Sequence, residues 1–157
     1  MVSDDQMTSP TEPELDREIA LATGAKTTVR ALRQRVSALE EGIVHFREIS
    51  SGTPDTLRAM GARIEELAQP FDAYGIIIDL TEVEGSTTPE YRRFIPEYFN
   101  ELHGRSGGRL KLVAVVFDAN PVLRGVVRFL VSRASNVPFN VYRTRAQASD
   151  GIRAAIR

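Results

Sequence analysis

Gly75-Ile76-Ile77-Ile78-Asp79-Leu80 is a nearly unbroken apolar stretch that ends in a carboxylate, and Lys111-Leu112-Val113-Ala114-Val115-Val116-Phe117 repeats that character downstream. A strand with one wet face alternates apolar and polar residues, whereas a strand apolar at nearly every position is covered on both faces, as in a parallel sheet. Parallel neighbours need a crossover, and the intervening residues supply one. Thr88-Pro89-Glu90 has a capping hydroxyl, a proline at the first helical position and an acid near the positive end of the helix dipole. Tyr91, Phe94, Ile95, Tyr98 and Leu102 continue at helical spacing until Gly104, Gly107 and Gly108. Pro96 falls inside this pattern and predicts a kink or a restart.

The same grammar extends in both directions. Upstream, Thr53-Pro54-Asp55 opens a helix whose apolar stripe is Leu57, Met60, Ile64 and Leu67, and Pro70 ends it. Downstream, Asp118-Ala119-Asn120-Pro121 caps a third helix carrying Val122, Leu123, Val126, Val127 and Leu130. Phe139-Asn140-Val141-Tyr142 reads as a short strand, and Thr144 with Gln147 forms a capping box for a last helix bearing Ala148, Ile152 and Ile156. Strands alternating with capped helices predict an α/β domain: a single-layer, mixed and mostly parallel sheet with helices packed on it.

The beginning of the chain is less patterned. Thr27, Thr28, Val29, Leu32 and Val36 read as extended, Glu40-Glu41-Gly42 as a turn, and Ile43 to Ile49 as the return strand of a hairpin. Leu32, Val36 and Leu39 also stand at helical spacing, so a helix over 31–41 fits as well. Residues 1–25 read as a disordered acidic tail, with too few apolar residues to offset the entropy of ordering. The folded domain is then expected over 26–157.

Composition narrows the function classes. The chain has 157 residues, enough for one core, and is 42% hydrophobic and 26% charged, as ordinary globular domains are. With no cysteine, it has no disulfide, thiolate metal site or catalytic thiol. No apolar run is long enough to span a bilayer, and the acidic start lacks the basic and apolar segments of a signal peptide, so a cytoplasmic location is expected. Residues 1–20 carry six acids and one base, while the remainder carries 19 bases and 15 acids. An acidic tail on a mildly basic body serves solubility or folds back onto it. The bases form no concentrated stripe, so nucleic acid is not an expected partner.

Ligands of open α/β sheets bind beyond the carboxyl ends of the strands. That rim gathers Asp79 and Thr81, the hydroxyls Ser86, Thr87 and Thr88, and Asp118 with Asn120. Asp79 and Asp118 at neighbouring strand ends could hold Mg²⁺ for phosphotransfer or hydrolysis, but Glu82 and Val83 stand where such a loop needs a second Asp or Ser. Asp and Asn also start turns and cap helices for local reasons alone. Ser86-Thr87-Thr88 can cap a helix, bind an anion or accept a phosphate, although Thr88 before Pro89 is fully accounted for as a cap. His45 and His103 lie near no nucleophile motif, and Gly104-Arg105-Ser106-Gly107-Gly108 follows a helix without dinucleotide-loop spacing. No catalytic residue, resident metal or cofactor is therefore assigned. The wide apolar band of the third helix suits burial, or docking of a partner, a second copy or an apolar ligand.

Gly75 to Thr81, Pro121 to Leu130 and Val141 to Ala148 resemble STAS domains (sulfate transporter and anti-sigma-factor antagonist), in a branch related to lipid-binding CRAL-TRIO domains. The likeness covers about 27–157, through the apolar strand ending Asp-Leu-Thr, the third helix and the final strand-helix join. The resemblance implies a non-enzymatic signalling module that binds a regulatory protein and is often controlled by phosphorylation of a Ser at a helix start. This chain has Thr87-Thr88-Pro89 where the family has Asp-Ser-Ser-Gly, so Pro89 falls about where the modified Ser would. Thr81, Ser86, Thr87 and Thr88 are the partner-binding or phosphorylation candidates, with Asp79, Asp118 and Asn120 as rim residues. Lipid binding and Mg²⁺-dependent phosphotransfer are the alternatives.

Overall fold

In chain order the elements are α1 (Glu12–Leu15), β1 (Glu18–Ala20), β2 (Lys26–Thr28), α2 (Val29–Arg33), β3 (Val36–Glu40), β4 (Ile43–Arg47), α3 (Pro54–Ala68), β5 (Tyr74–Asp79), α4 (Pro89–Arg105), β6 (Leu110–Val116), α5 (Pro121–Arg133), β7 (Phe139–Tyr142) and α6 (Arg145–Ile156). This computed structural model describes residues 9–85, 87–117, 121–133 and 136–157, with the backbone alone at 121–123. The main sheet has the order β3-β4-β5-β6-β7. β3 and β4 are antiparallel, and every later pairing is parallel. It is the mixed, mostly parallel sheet that the two apolar runs predict.

Both runs are covered on two sides, which is why they carry no polar alternation. Ile76, Ile78, Val113 and Val115 join a large core with residues of α2, α3, α4 and α5. Ile77, Leu112, Ala114 and Val116 face the other way, against Ala148 and Ile152 of α6. Each fully buried Ile contributes about 1.5–3 kcal/mol relative to exposure, so these strands supply a substantial part of the domain's stability. Gly61 of α3 makes room for Tyr98 of α4: a Cβ there would fall 1.8 Å from the Tyr98 hydroxyl.

Helix starts follow the capping grammar. The Thr53 hydroxyl accepts from the Thr56 N–H (3.2 Å), and Thr56 Oγ1 accepts from the Thr53 N–H (2.9 Å), a reciprocal pair that satisfies two orphan donors. Thr144 accepts from the Gln147 N–H at 3.1 Å. α4 neither stops nor restarts at Pro96. The missing N–H there removes one helix hydrogen bond, but Tyr91, Ile95, Pro96, Phe99 and Leu102 are all buried, and that packing carries the helix through.

The N-terminal third differs from expectation in two ways. The hairpin exists, but its first strand is β3, beginning at Val36. Thr28 instead caps α2, accepting from the Ala31 N–H at 3.1 Å, so Leu32 is helical, and the strand and helix alternatives for 27–41 each hold for part of the segment. In addition, residues 12–25, assigned on composition to a tail, form α1, β1 and the turn into β2. β1 pairs antiparallel with β2, Ile19 is buried, Ala22 donates its N–H to Ser51 O (2.8 Å), and Arg30 binds Glu12 and Asp16. A single buried Ile and a partner strand thus organise a segment whose average composition is too polar to predict it. Residues 1–8 lie outside the described residues.

Candidate functional site

The carboxyl ends of β4 and β5 carry two loops, 48–53 and 80–88, that are bound to one another. Glu48 donates its N–H to Asp79 O (3.0 Å), and Glu84 donates its N–H to Ser50 Oγ (2.8 Å). Glu82 is clamped by Arg35 (2.7 Å) and, more loosely, Arg47 (3.4 Å), a contact that holds its carboxyl below the usual range. Arg35 also donates to the carbonyls of Arg47 and Glu48, so its fork binds β4 and the 80–88 loop at once. The segment expected as a polar rim is therefore held firmly at its first half.

Asp79 sits on the α6 face of this rim. Its Oδ1 accepts from the Thr81 N–H (3.0 Å) and the Thr81 hydroxyl (2.6 Å), and its Oδ2 lies 2.9 Å from His45 Nε2. Burial alone would raise this carboxyl. The donors on both oxygens outweigh burial and hold it at about 2. A cation at Asp79 would have to displace these donors. Among the described residues no three His, Asp or Glu side chains gather closely enough to hold a metal ion. Asp118 and Asn120 lie outside the described residues, so the expected Asp79–Asp118 pair is not placed.

On the opposite face, Glu48 is 3% exposed. Its Oε1 accepts from the Ile49 N–H (2.8 Å) and its Oε2 from the Tyr91 hydroxyl (2.6 Å) at the first turn of α4. Burial pushes this carboxyl up to about 7 against the lowering influence of Tyr91, Ile49 and Arg35. Tyr91 is itself raised well above its ordinary range by burial and by the neighbouring carboxyl.

Of the three hydroxyls before α4, Ser86 lies outside the described residues. Thr88 is exposed and caps α4, accepting from the Tyr91 N–H at 3.2 Å. Thr87 is the surprise: its hydroxyl oxygen is buried without a hydrogen-bond partner among the described residues, while its carbonyl accepts from Arg92 (2.9 Å). Thr81 is exposed, yet its hydroxyl is committed to Asp79. Sequence reasoning missed Glu48, Tyr91 and Arg35. Glu48 follows a strand as an ordinary polar residue would, and only the pairing of β4 with β5 brings it beneath α4. His45 was legible as a strand residue but not as the partner of Asp79.

The α5 band resolves into a buried side, Val126, Val127 and Leu130, and an exposed side with Arg124, Arg128 and Val131. The described residues enclose an apolar space beneath it of about 10 Å³, the size of a water and far below that of a lipid chain. No helix of the described residues is long and apolar enough to cross a membrane.

The crystal structure of an uncharacterized protein from the DUF3478 family with a SpoIIAA-like fold, from Shewanella loihica PV-4, is similar to this chain. The TM-score is 0.51 at 15% identity, covering 74% of this chain and 90% of that one. This chain has the SpoIIAA-like fold, which is the fold of STAS domains and of anti-sigma-factor antagonists. No protein-family model matches the chain, nor does any curated protein sequence.

Proposed function

We propose that the domain is a non-enzymatic, cytoplasmic, regulatory protein-interaction module that meets its partner through the Thr81–Thr88 loop and the start of α4. The SpoIIAA-like fold, together with an exposed hydroxyl at the N-terminus of a long helix on the sheet's ligand-binding rim, is the observation that carries this reading. The local chemistry agrees with it. Among the described rim residues, Glu82 is engaged by arginines and Asp79 by neighbouring donors, which suits a surface shaped for contact.

Phosphorylation is the proposed control. Among the described candidates Thr88 is exposed and its hydroxyl accepts the Tyr91 N–H, whereas Thr87 turns its hydroxyl inward and the exposed Thr81 donates its own to Asp79. A phosphate at Thr88 gains from the helix dipole but stands beside Glu90, so it changes both the cap and the charge presented to a partner. The test is capture of partners from native extract by the wild type and by a Ser86/Thr87/Thr88→Ala variant, with mapping of phosphorylated residues. A partner lost with the variant supports the surface, and equal recovery of every partner rejects it.

A further inference from the structure

Glu48 and Thr87 line the same enclosed space, walled by Phe46, Ile78, Ile95 and Leu130. Its volume of about 10 Å³ is at the threshold for one water molecule. A buried hydroxyl with no partner is rare and costly in a folded protein, and an ordered water is the usual remedy. Glu48 supplies the second polar wall. Both of its oxygens accept a protein donor, so when neutral it retains one O–H still to place. We propose that this pocket is a proton-linked latch: one water joins neutral Glu48 to the Thr87 hydroxyl and holds the 80–88 loop against the core, and ionisation of Glu48 releases it.

The charged groups around Glu48 explain why it has no dedicated counter-ion. Tyr91 of α4 is a neutral donor, and Thr56 of α3 is its polar neighbour. Arg35 is the cation on the β3 side, and its guanidinium is divided among two carbonyls and Glu82. The other described walls, from β4, β5 and α5, are apolar. When the Glu48 O–H breaks, its proton leaves to solvent, and the remaining charge faces these walls with no added partner. Admitting further water is the relief open to it, and the wall that Leu80, Val83 and Thr87 build is the part that must move. The upward displacement of the Glu48 carboxyl agrees with this geometry. The regulatory consequence, proton control over partner binding, rests on the reading of this loop as the partner surface; the latch itself does not.

Carboxyl carbon shifts of Glu48 and amide shifts of Val83, Glu84 and Thr87, followed by NMR between pH 5 and 9, test the latch in the full chain. The expected result is a Glu48 midpoint near 7, shared by the loop amides. Glu48→Gln should abolish the loop transition and keep the low-pH shifts. Thr87→Val removes the water's anchor and with it a partner of the neutral acid, so the Glu48 midpoint should fall by roughly half a unit and water-to-amide cross-peaks in the loop should vanish. A Glu48 midpoint near that of an ordinary Glu, loop amides that ignore its titration, or an unchanged transition in Glu48→Gln would each overturn the proposal. If Glu48→Gln does not fold, the wild-type titration and Thr87→Val decide alone. No partner enters these readouts, so failed capture from extract would count against the binding surface and leave the latch standing.

Discussion

Asp79 and Glu48 close the ends of adjacent parallel strands, joined by a 3.0 Å backbone hydrogen bond, yet their carboxyls are driven in opposite directions, to about 2 and about 7. Glu48 is the more deeply buried of the two, and Asp79 is the better supplied with donors; both differences push the carboxyls apart. Asp79 on the α6 face receives a backbone N–H, a hydroxyl and a histidine nitrogen. Glu48 on the α3–α4 face receives one N–H and a phenol, with its nearest cation turned mostly elsewhere. Alternation along extended backbone sends neighbouring strand ends to different faces, and each face dictates whether a carboxyl is an anchor or a titratable group.

The largest expected effect concerns Glu48. Its folded pKa lies above the ordinary 4.5, so the folded state retains a proton that the unfolded chain releases. Stability from this group is then fullest below about pH 4.5 and declines as pH rises toward 7, levelling off above it. The loss is up to about 3 kcal/mol, less whatever loop relaxation recovers. Urea unfolding at a series of pH values should show wild type falling behind Glu48→Gln as pH rises, with the gap saturating above 7. Parallel curves would erase the contrast between the two carboxyls.

Asp79→Ala should cost about 2 kcal/mol at neutral pH, since it strands the buried His45 nitrogen and two Thr81 donors. Its pH signature is the reverse. The folded pKa is depressed, so the contribution is present above the ordinary 3.8 and is lost as pH falls toward 2. Denaturation measured from pH 5 to 2.5 should show wild type and variant converging in acid; a constant gap would mean that Asp79 acts through packing alone.

Much of the framework was legible because it is written in local chemistry. Thr53-Pro54, Thr88-Pro89 and Thr144 with Gln147 mark helix starts through side chains that bond their own backbone, and the runs at 75–80 and 111–117 mark covered strands. What depends on distant partners was not legible. Ile19 and Ala22 are ordered by β2 and Ser51, which average composition cannot register. Asp79 and Thr81 were found as rim residues, but the two residues that give the rim its electrostatic character, His45 and Glu48, needed the β4–β5 register to be known. Thr87 and Thr88 are adjacent and chemically alike, and only packing turns one hydroxyl inward and the other into a cap.

The smallest effect offers the sharpest resolution of the comparison. Thr81→Val removes the hydroxyl that Asp79 accepts at 2.6 Å but leaves the Thr81 N–H and His45 in place. Thr81 is exposed, so water can replace its hydroxyl, and the stability cost should stay near 0.5–1 kcal/mol, roughly a neutral hydrogen bond. The carboxyl itself should respond more clearly than stability does. With one of its donors gone, the Asp79 midpoint measured by carbon NMR should climb from about 2 toward its ordinary 3.8 while Glu48 stays unchanged. A rise at Asp79 alone would establish that donor number sets each carboxyl separately. A shift at both would mean that the 3.0 Å backbone link carries strain from one strand end to the next, making the two faces one coupled unit.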